Sequence, residues 1–448
     1  MRYHQADQHQ VVIKDIWRLR LHLLHDVLED KDEQTATQTF FSSQQADGGE
    51  ETDQEDTRRA KLRIREKAPK LIESVIICYL GLLLLRLPVL SSDIRGWVAR
   101  EDFAYLNAFK HIPQEMKQRL PVPLRRSLEP SVDPHKLQQF HVMTMTLAAA
   151  YQTSYSMVIP AINYPLLLLR CVKELCLPLV IYSGTEKLIK LLNLDFDFSV
   201  ALKRKIFLSQ HPEIKLMCAI IITTKLFFPF DDLRRHPTTA TEPAALKLDW
   251  AKWAEHYRST STIGFDEQQR KDSDEAILAT TESDVFGMSN QDMDAYLDWF
   301  ARTGWLNEED AKQGREADYK TALYAMFPLQ SPSTTTNNDG DHEAEKLERI
   351  KAVQASLRPN LVVEAGQEGS GILRPGERYK RYRSIEQMPR LAKVFFEAAG
   401  RMVNLELQDM VTAVLQVEMK LGNWAEKKRK EAKRGAVDED NDVDMQDE

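Results

Sequence analysis

Two stretches of this chain are apolar on nearly every face, and they constrain the fold more than anything else in the sequence. They read LIESVIICYLGLLLLRL, Leu71 to Leu87, and EIKLMCAIIITTKLFF, Glu213 to Phe228. A helix without a polar stripe has to be surrounded by other helices, so each stretch predicts a helical core built around it. Neither is a membrane span. The uninterrupted apolar part of the first, Ser74 to Leu85, is 12 residues long and bracketed by Glu73 and Arg86, whereas a span needs about 20. Leu137 to Leu169 also carries no acidic or basic residue apart from His141, but Gln138, Gln139, Gln152, Asn163, Pro160 and Pro165 break it. Both regions read as soluble core, and no membrane partner is expected.

The two buried stretches resemble each other. At a constant offset of 140, Glu73 meets Glu213 and Cys78 meets Cys218, while the terminating prolines Pro88 and Pro229 agree within one position. Such self-similarity suggests a tandem repeat of one helical unit; shared apolar composition of any two buried helices is the plainer alternative. Around them lie amphipathic segments. Val12, Ile16, Leu19, Leu23 and Val27 recur at helical spacing. Ser91-Ser92-Asp93 can cap a helix carrying Ile94, Trp97 and Val98. Further helices are expected from Asp133-Pro134 to about Tyr155, over Leu166–Leu177, Leu248–Tyr257, Met288–Trp305 and Ile385–Trp424. Val362 and Val363 are the only small strand candidates. The class is therefore all-α. The expected divisions are a first fold over 1–158 with a disordered acidic insertion at about 29–60, and a second fold over 159–330 with a polar insertion at about 232–285. A linker at 331–364, a C-terminal helical region at 365–426 and a basic, then acidic, disordered tail at 427–448 follow.

Net charge is −8, so contact with an anionic partner must come from local patches. Four local features stand out. Glu29–Asp56 holds ten acidic residues and few apolar anchors, a composition that cannot offset the entropy of ordering. Arg58, Arg59, Lys61, Arg63, Arg65 and Lys67 follow, and Arg378, Lys380, Arg381 and Arg383 alternate with Tyr379 and Tyr382. Both basic clusters are candidates for phosphate contact, against the reading that they merely solvate the surface or balance the acidic insertion. Lys427, Lys428, Arg429, Lys430, Lys433 and Arg434 put six basic residues into eight positions, which suits a nuclear import signal as well as a solvated helix end.

No reaction chemistry is legible, so no catalytic residues are expected. Phosphate-loop, GxSxG and HExxH patterns are absent. GQEGSG, Gly366 to Gly371, reads as a turn, since no strand precedes it and no helix opens directly after it. Asp231-Asp232 follow a helix stop without a partner histidine, so capping or exposure is expected rather than metal binding. The four cysteines, Cys78, Cys171, Cys176 and Cys218, include no CxxC pair. A structural zinc site usually draws four ligands from short paired spacings, so these read as buried thiols in a reducing compartment and no metal is expected. The N-terminus has no apolar run of the secretory type.

The stretch Leu85 to Pro121, LRLPVLSSDIRGWVAREDFAYLNAFKHIPQEMKQRLP, resembles the first cyclin fold of the TFIIB-like subunit of the RNA polymerase I core promoter factor in its fungal form. Leu87-Pro88, Asp93, Trp97, Tyr105 and Ile112-Pro113 stand where that family has a helix stop, a cap, a helix-borne tryptophan, an aromatic segment and an Ile-Pro. IKDIWRLRL, Ile13 to Leu21, looks like its opening helix, PAINYPLLLLRCVKELCLP, Pro160 to Pro178, like the start of its second fold, and ERYKRYRS like its C-terminal region. The resemblance implies two tandem cyclin-like folds acting without catalysis in the nucleus and nucleolus. It further implies other core-factor subunits, RNA polymerase I, the ribosomal DNA promoter and TATA-binding protein as partners. The family's N-terminal zinc ribbon has no counterpart among these residues, so no cofactor is carried over to this chain. A cyclin-like kinase regulator and a TFIIB-related factor of another nuclear polymerase are the competing readings, because a fold does not fix a function.

Overall fold

The computed structural model describes residues 2–29, 70–99, 112–120, 137–198, 207–231, 233–263, 288–302, 339–364 and 372–444, together with isolated positions at 105, 108, 109, 125 and 128. In chain order the helices are α1 (Arg2–Glu29), α2 (Leu71–Leu84), α3 (Ser91–Ala99), α4 (Gln114–Arg119), α5 (Leu137–Tyr155), α6 (Tyr164–Glu174), α7 (Val180–Leu192) and α8 (Pro212–Phe227). After them come α9 (Trp250–Ile263), α10 (Asn290–Arg302), α11 (Asp339–Ala355), α12 (Arg390–Met402) and α13 (Leu407–Asp444). A two-residue strand β1, Leu246–Lys247, pairs antiparallel with β2, Arg358–Pro359. The chain forms two compact units: 1–89, 93–160 and 269–334 make the first, and 90–92, 161–268 and 335–448 the second.

The first unit is organised by α2, against which α1 and α5 pack. Ile76, Ile77, Tyr79 and Leu80 are fully buried, as an all-apolar helix requires. Tyr79 meets the edge of Phe140, with ring centroids 5.7 Å apart. Two tyrosines of α5 fasten α1: the Tyr151 hydroxyl donates to the Ile16 carbonyl at 3.2 Å and the Tyr155 hydroxyl to that of Leu19 at 3.0 Å. Glu73, in the first turn of α2, accepts two hydrogen bonds from the Arg20 guanidinium at 2.9 and 3.0 Å. The two bonds make this a bidentate pair, the stronger geometry for a guanidinium and a carboxylate.

The second unit is built around α8, which is packed by α6, α7, α12 and α13. Ile214, Leu216, Met217, Cys218, Ala219, Ile220, Ile221 and Ile222 are all buried. The two all-apolar helices thus stand in different compact units, as the repeat at offset 140 predicts. Glu213 parallels Glu73 as a buried acid in the first helical turn, accepting from the Ser91 backbone N–H at 3.1 Å. The cysteines differ, since Cys218 is fully enclosed and Cys78 only half-buried; burial pushes both thiols up from their ordinary range.

One helix ending recurs. Leu85-Arg86-Leu87-Pro88 closes α2 and Leu175-Cys176-Leu177-Pro178 closes α6. Arg86 and Cys176 are left-handed, with φ of 58° and 49°. In both, the N–H after the left-handed residue returns five residues back, Leu87 to Leu82 and Leu177 to Val172, at 3.1 and 3.0 Å. The reversal satisfies terminal carbonyls, and the proline that follows cannot extend the helix.

Several boundaries differ from the sequence expectation. The polar insertion expected at 232–285 contains α9, whose Trp253 is fully buried and donates its indole N–H to the Leu175 carbonyl at 2.9 Å. The linker expected at 331–364 contains α11, which buries Ile350 and Val353 and packs on α6 and α9. The helical region expected to stand alone at 365–426 belongs to the second unit, because Met410, Val411, Ala413, Val414 and Val417 of α13 bury an apolar face. The tail expected to lack structure continues α13 to Asp444; ion pairs Lys430–Glu426 and Lys428–Glu431, at 3.1 and 2.9 Å, support those exposed turns. Helix α10, expected in the second fold, groups with the first unit. The short strand lies at Arg358–Pro359 rather than at Val362 and Val363. The acidic insertion and the GQEGSG turn lie outside the described residues.

Close packing at the end of α12 yields a test. A Cβ on Gly400 would lie 2.6 Å from the backbone carbonyl oxygen of Leu405, which sits just after the turn where the Leu405 N–H returns to the Gly400 carbonyl at 2.9 Å. Gly400→Ala is expected to lower stability by about 1–3 kcal/mol, the usual cost of overpacking, measured by urea denaturation. An unchanged midpoint would mean that this turn yields more easily than its geometry implies.

Candidate functional site

The segment Arg378 to Arg383 forms a strap over the second unit. Its alternation of basic and aromatic residues becomes an alternation of outward and inward side chains. Arg378, Lys380, Arg381 and Arg383 are exposed, Tyr382 is buried and Tyr379 partly so. A preceding turn sets the strap's course, with Gly376 at φ 84° and Arg378 at φ 50°; glycine reaches that backbone region without strain. Arg235 ties the turn down. Its guanidinium binds both carboxylate oxygens of Asp231, at 2.7 and 2.8 Å, and its Nε donates to the Glu377 carbonyl at 3.1 Å. The Arg235 contact holds the Asp231 carboxyl below the usual carboxylate range. Asp232 lies outside the described residues.

Beneath the strap sits a buried ion pair. Lys225, near the end of α8, and Glu418, on α13, are 4% and 1% exposed at their side chains. The Lys225 Nζ donates to Glu418 Oε1 at 2.5 Å, and the Tyr379 hydroxyl donates to the same oxygen. The ammonium also faces both tyrosine rings, 4.7 Å from the centroid of Tyr379 and 4.4 Å from that of Tyr382. Cation–π contacts of this kind gain strength once water is excluded. Burial lowers the Lys225 pKa, Glu418 opposes that shift, and Arg381 adds to it. Burial, reinforced by the neighbouring carboxylate, pushes the Tyr379 phenol far above its ordinary range, and burial takes Tyr382 to about 12. The two tyrosines therefore stay neutral and act as anchors, while the four basic heads remain free. Among the described residues none of those four makes an ion pair.

Such an arrangement presents charge: the buried lysine is paired with Glu418, and the four charged side chains of the strap are exposed cations. The structure places Arg378, Lys380, Arg381 and Arg383 on one exposed strap. It adds Lys225 and Glu418, which sequence reasoning missed. A lysine inside an otherwise apolar run, IITTKLFF, was the available signal, since a buried charge calls for a partner. The first basic cluster, Arg58, Arg59, Lys61, Arg63, Arg65 and Lys67, lies outside the described residues. Lys427, Lys428, Arg429 and Lys430 are exposed on α13; the side chains of Lys433 and Arg434 lie outside the described set. Among the described residues no three His, Cys, Asp or Glu side chains gather as metal ligands, and no helix is long and apolar enough to cross a membrane.

Comparison with known proteins identifies the architecture. Residues 2–114 match the family model described as Rrn7/TAF1B, N-terminal cyclin domain, and residues 134–304 match Rrn7/TAF1B, C-terminal cyclin domain. The two matches run in order and together take in more than half of the chain. The chain belongs to the Rrn7/TAF1B family. Its fold is all-α with two cyclin domains, as the resemblance implies. The family's second domain takes in α5 and α10, which both group with the first unit by packing, so family boundary and packing boundary differ by those two helices. The RNA polymerase I-specific transcription initiation factor rrn7 of Schizosaccharomyces pombe is 23% identical over 342 residues, covering 71% of this chain and 61% of that protein. RRN7 of Saccharomyces cerevisiae, with the same description, is 23% identical over 312 residues, covering 64% and 57%. The chain thus spans about three fifths of the length of these relatives. The crystal structure of the S. cerevisiae core factor aligns with a TM-score of 0.44 at 16% identity, covering 97% of this chain and 98% of that one.

Proposed function

We propose that this chain is a TFIIB-like subunit of the RNA polymerase I core factor, which binds the ribosomal DNA core promoter and recruits RNA polymerase I. The observation that carries the reading is the ordered pair of Rrn7/TAF1B cyclin domains, supported by relatives named as RNA polymerase I-specific initiation factors. Its partners on this reading are the other core-factor subunits, the polymerase, the promoter and TATA-binding protein, and its place is the nucleus and nucleolus. The mechanism is positioning. Protein surfaces hold DNA and polymerase in register, and no bond is made or broken. The strap Arg378–Arg383 supplies phosphate contacts, and Arg58–Lys67 adds others. Such contacts set register without reading sequence, so promoter choice rests with partner subunits and DNA shape.

Affinity purification of the tagged full chain from nuclear extract, with identification of bound proteins, tests this directly. Core-factor subunits and RNA polymerase I are expected to co-purify. A stable kinase without polymerase subunits would replace this reading with that of a cyclin-like kinase regulator.

A further inference from the structure

We propose that the basic surface of the strap continues onto α13, and that Arg381 and Arg429 form one track for a nucleic-acid phosphate backbone. This rests on the DNA-binding reading above and assigns Arg429, which sequence alone groups with an import signal, to the same surface. The two basic clusters are 40-odd residues apart in sequence, but one contact joins them. The Arg381 guanidinium lies against Gly422 of α13, where a built Cβ would sit 2.4 Å from Nη2. A glycine inside a helix is less favourable than alanine, and here it leaves room for that guanidinium. Seven residues further along α13 comes Arg429. Seven steps return to within about 20° of the same helix face and advance about 10 Å along the axis. Arg429 is exposed and, like Arg381, makes no ion pair among the described residues. Its neighbours differ: Lys428 pairs with Glu431 and Lys430 with Glu426. Arg381 and Arg429, both without an ion pair among the described residues, therefore fall into line from the strap to one face of α13. A row of free guanidinium groups on a rigid helix suits a polyanion with regularly spaced charges, since each group can take a phosphate without first giving up a partner.

The test measures full-length chain binding to a short fluorescent DNA duplex of arbitrary sequence across a salt series. Arg381→Ala and Arg429→Ala are each expected to weaken binding and to reduce the slope of log affinity against log salt by about 0.9, the value for one phosphate contact. Lys428→Ala, which removes the same charge from the same helix, is expected to keep the wild-type slope. Circular dichroism melts check that all three surface variants fold like the wild type. Arg429→Ala with a wild-type slope, or Lys428→Ala matching Arg429→Ala, overturns the track and leaves the strap's own role standing. Wild-type chain with no salt-dependent duplex binding overturns both. Binding of polyglutamate in place of the duplex, lost in the same two variants, would make the surface a dock for an acidic protein and overturn the proposal.

Discussion

Replacing Glu418 with leucine alone is expected to lower folding stability by about 3–5 kcal/mol, the cost of leaving a buried charge without its partner. Lys225 would lose its ion-pair partner among the described residues, where its side chain is 4% exposed. Tyr379 would lose the acceptor for its hydroxyl as well. The double variant Lys225→Met, Glu418→Leu is expected to recover most of that loss, because apolar groups of similar volume often replace a buried pair at little cost. Urea denaturation of the two single variants and the double variant gives the coupling energy between the two positions. A single-variant loss below about 1 kcal/mol, the range of exposed pairs, would mean that water reaches the site and that the strap does not seal it.

A loss of comparable size is expected for Trp253→Ala, at about 3–5 kcal/mol. Trp253 is fully buried. Its ring lies near-parallel to Tyr257 at 5.2 Å between centroids and meets Trp250 and Phe395 at 5.3 and 5.5 Å. Its indole N–H fastens α9 to the end of α6 through the Leu175 carbonyl. Trp253→Phe keeps much of the ring but strands that carbonyl, so an intermediate loss is expected, of which about 1–3 kcal/mol belongs to the unsatisfied group. Thermal or urea unfolding of both variants measures this. A loss within about 0.5 kcal/mol, typical of surface changes, would return α9 to the polar insertion that its flanking sequence suggests.

The sequence read most truly where periodicity alone decides. Leu71–Leu87 and Glu213–Phe228 have no polar face, so burial was their only stable outcome, and the structure gives each its own compact unit. Amphipathic helices were legible as helices but not as neighbours. Nothing in the pattern of Met410, Val411, Val414 and Val417 says which core that face covers, and the face belongs to α8's unit rather than to a region of its own. Around Trp253 the helix was legible, but its polar flanks hid that Trp250 and Trp253 are buried in the second unit. Polarity likewise concealed α11, where Ile350 and Val353 are the buried residues within a charged sequence. At the strap, the interleaving of basic residues and Tyr was legible in the sequence but left open which side chains turn inward. The rings turn inward because Lys225 and Glu418, 193 positions apart, meet beneath them, and only the fold brings those two together.

The central claim is that this chain acts in RNA polymerase I initiation by holding promoter and polymerase together. Depletion of the protein from a nuclear extract, followed by add-back of the purified full chain within its complex, tests it most directly, with run-off transcription from the ribosomal DNA core promoter as the readout. Depletion is expected to abolish that transcript and leave transcription from promoters of the other nuclear polymerases intact, and add-back is expected to restore it. Undiminished ribosomal DNA transcription after depletion, or an equal loss at promoters of another polymerase, would contradict the account.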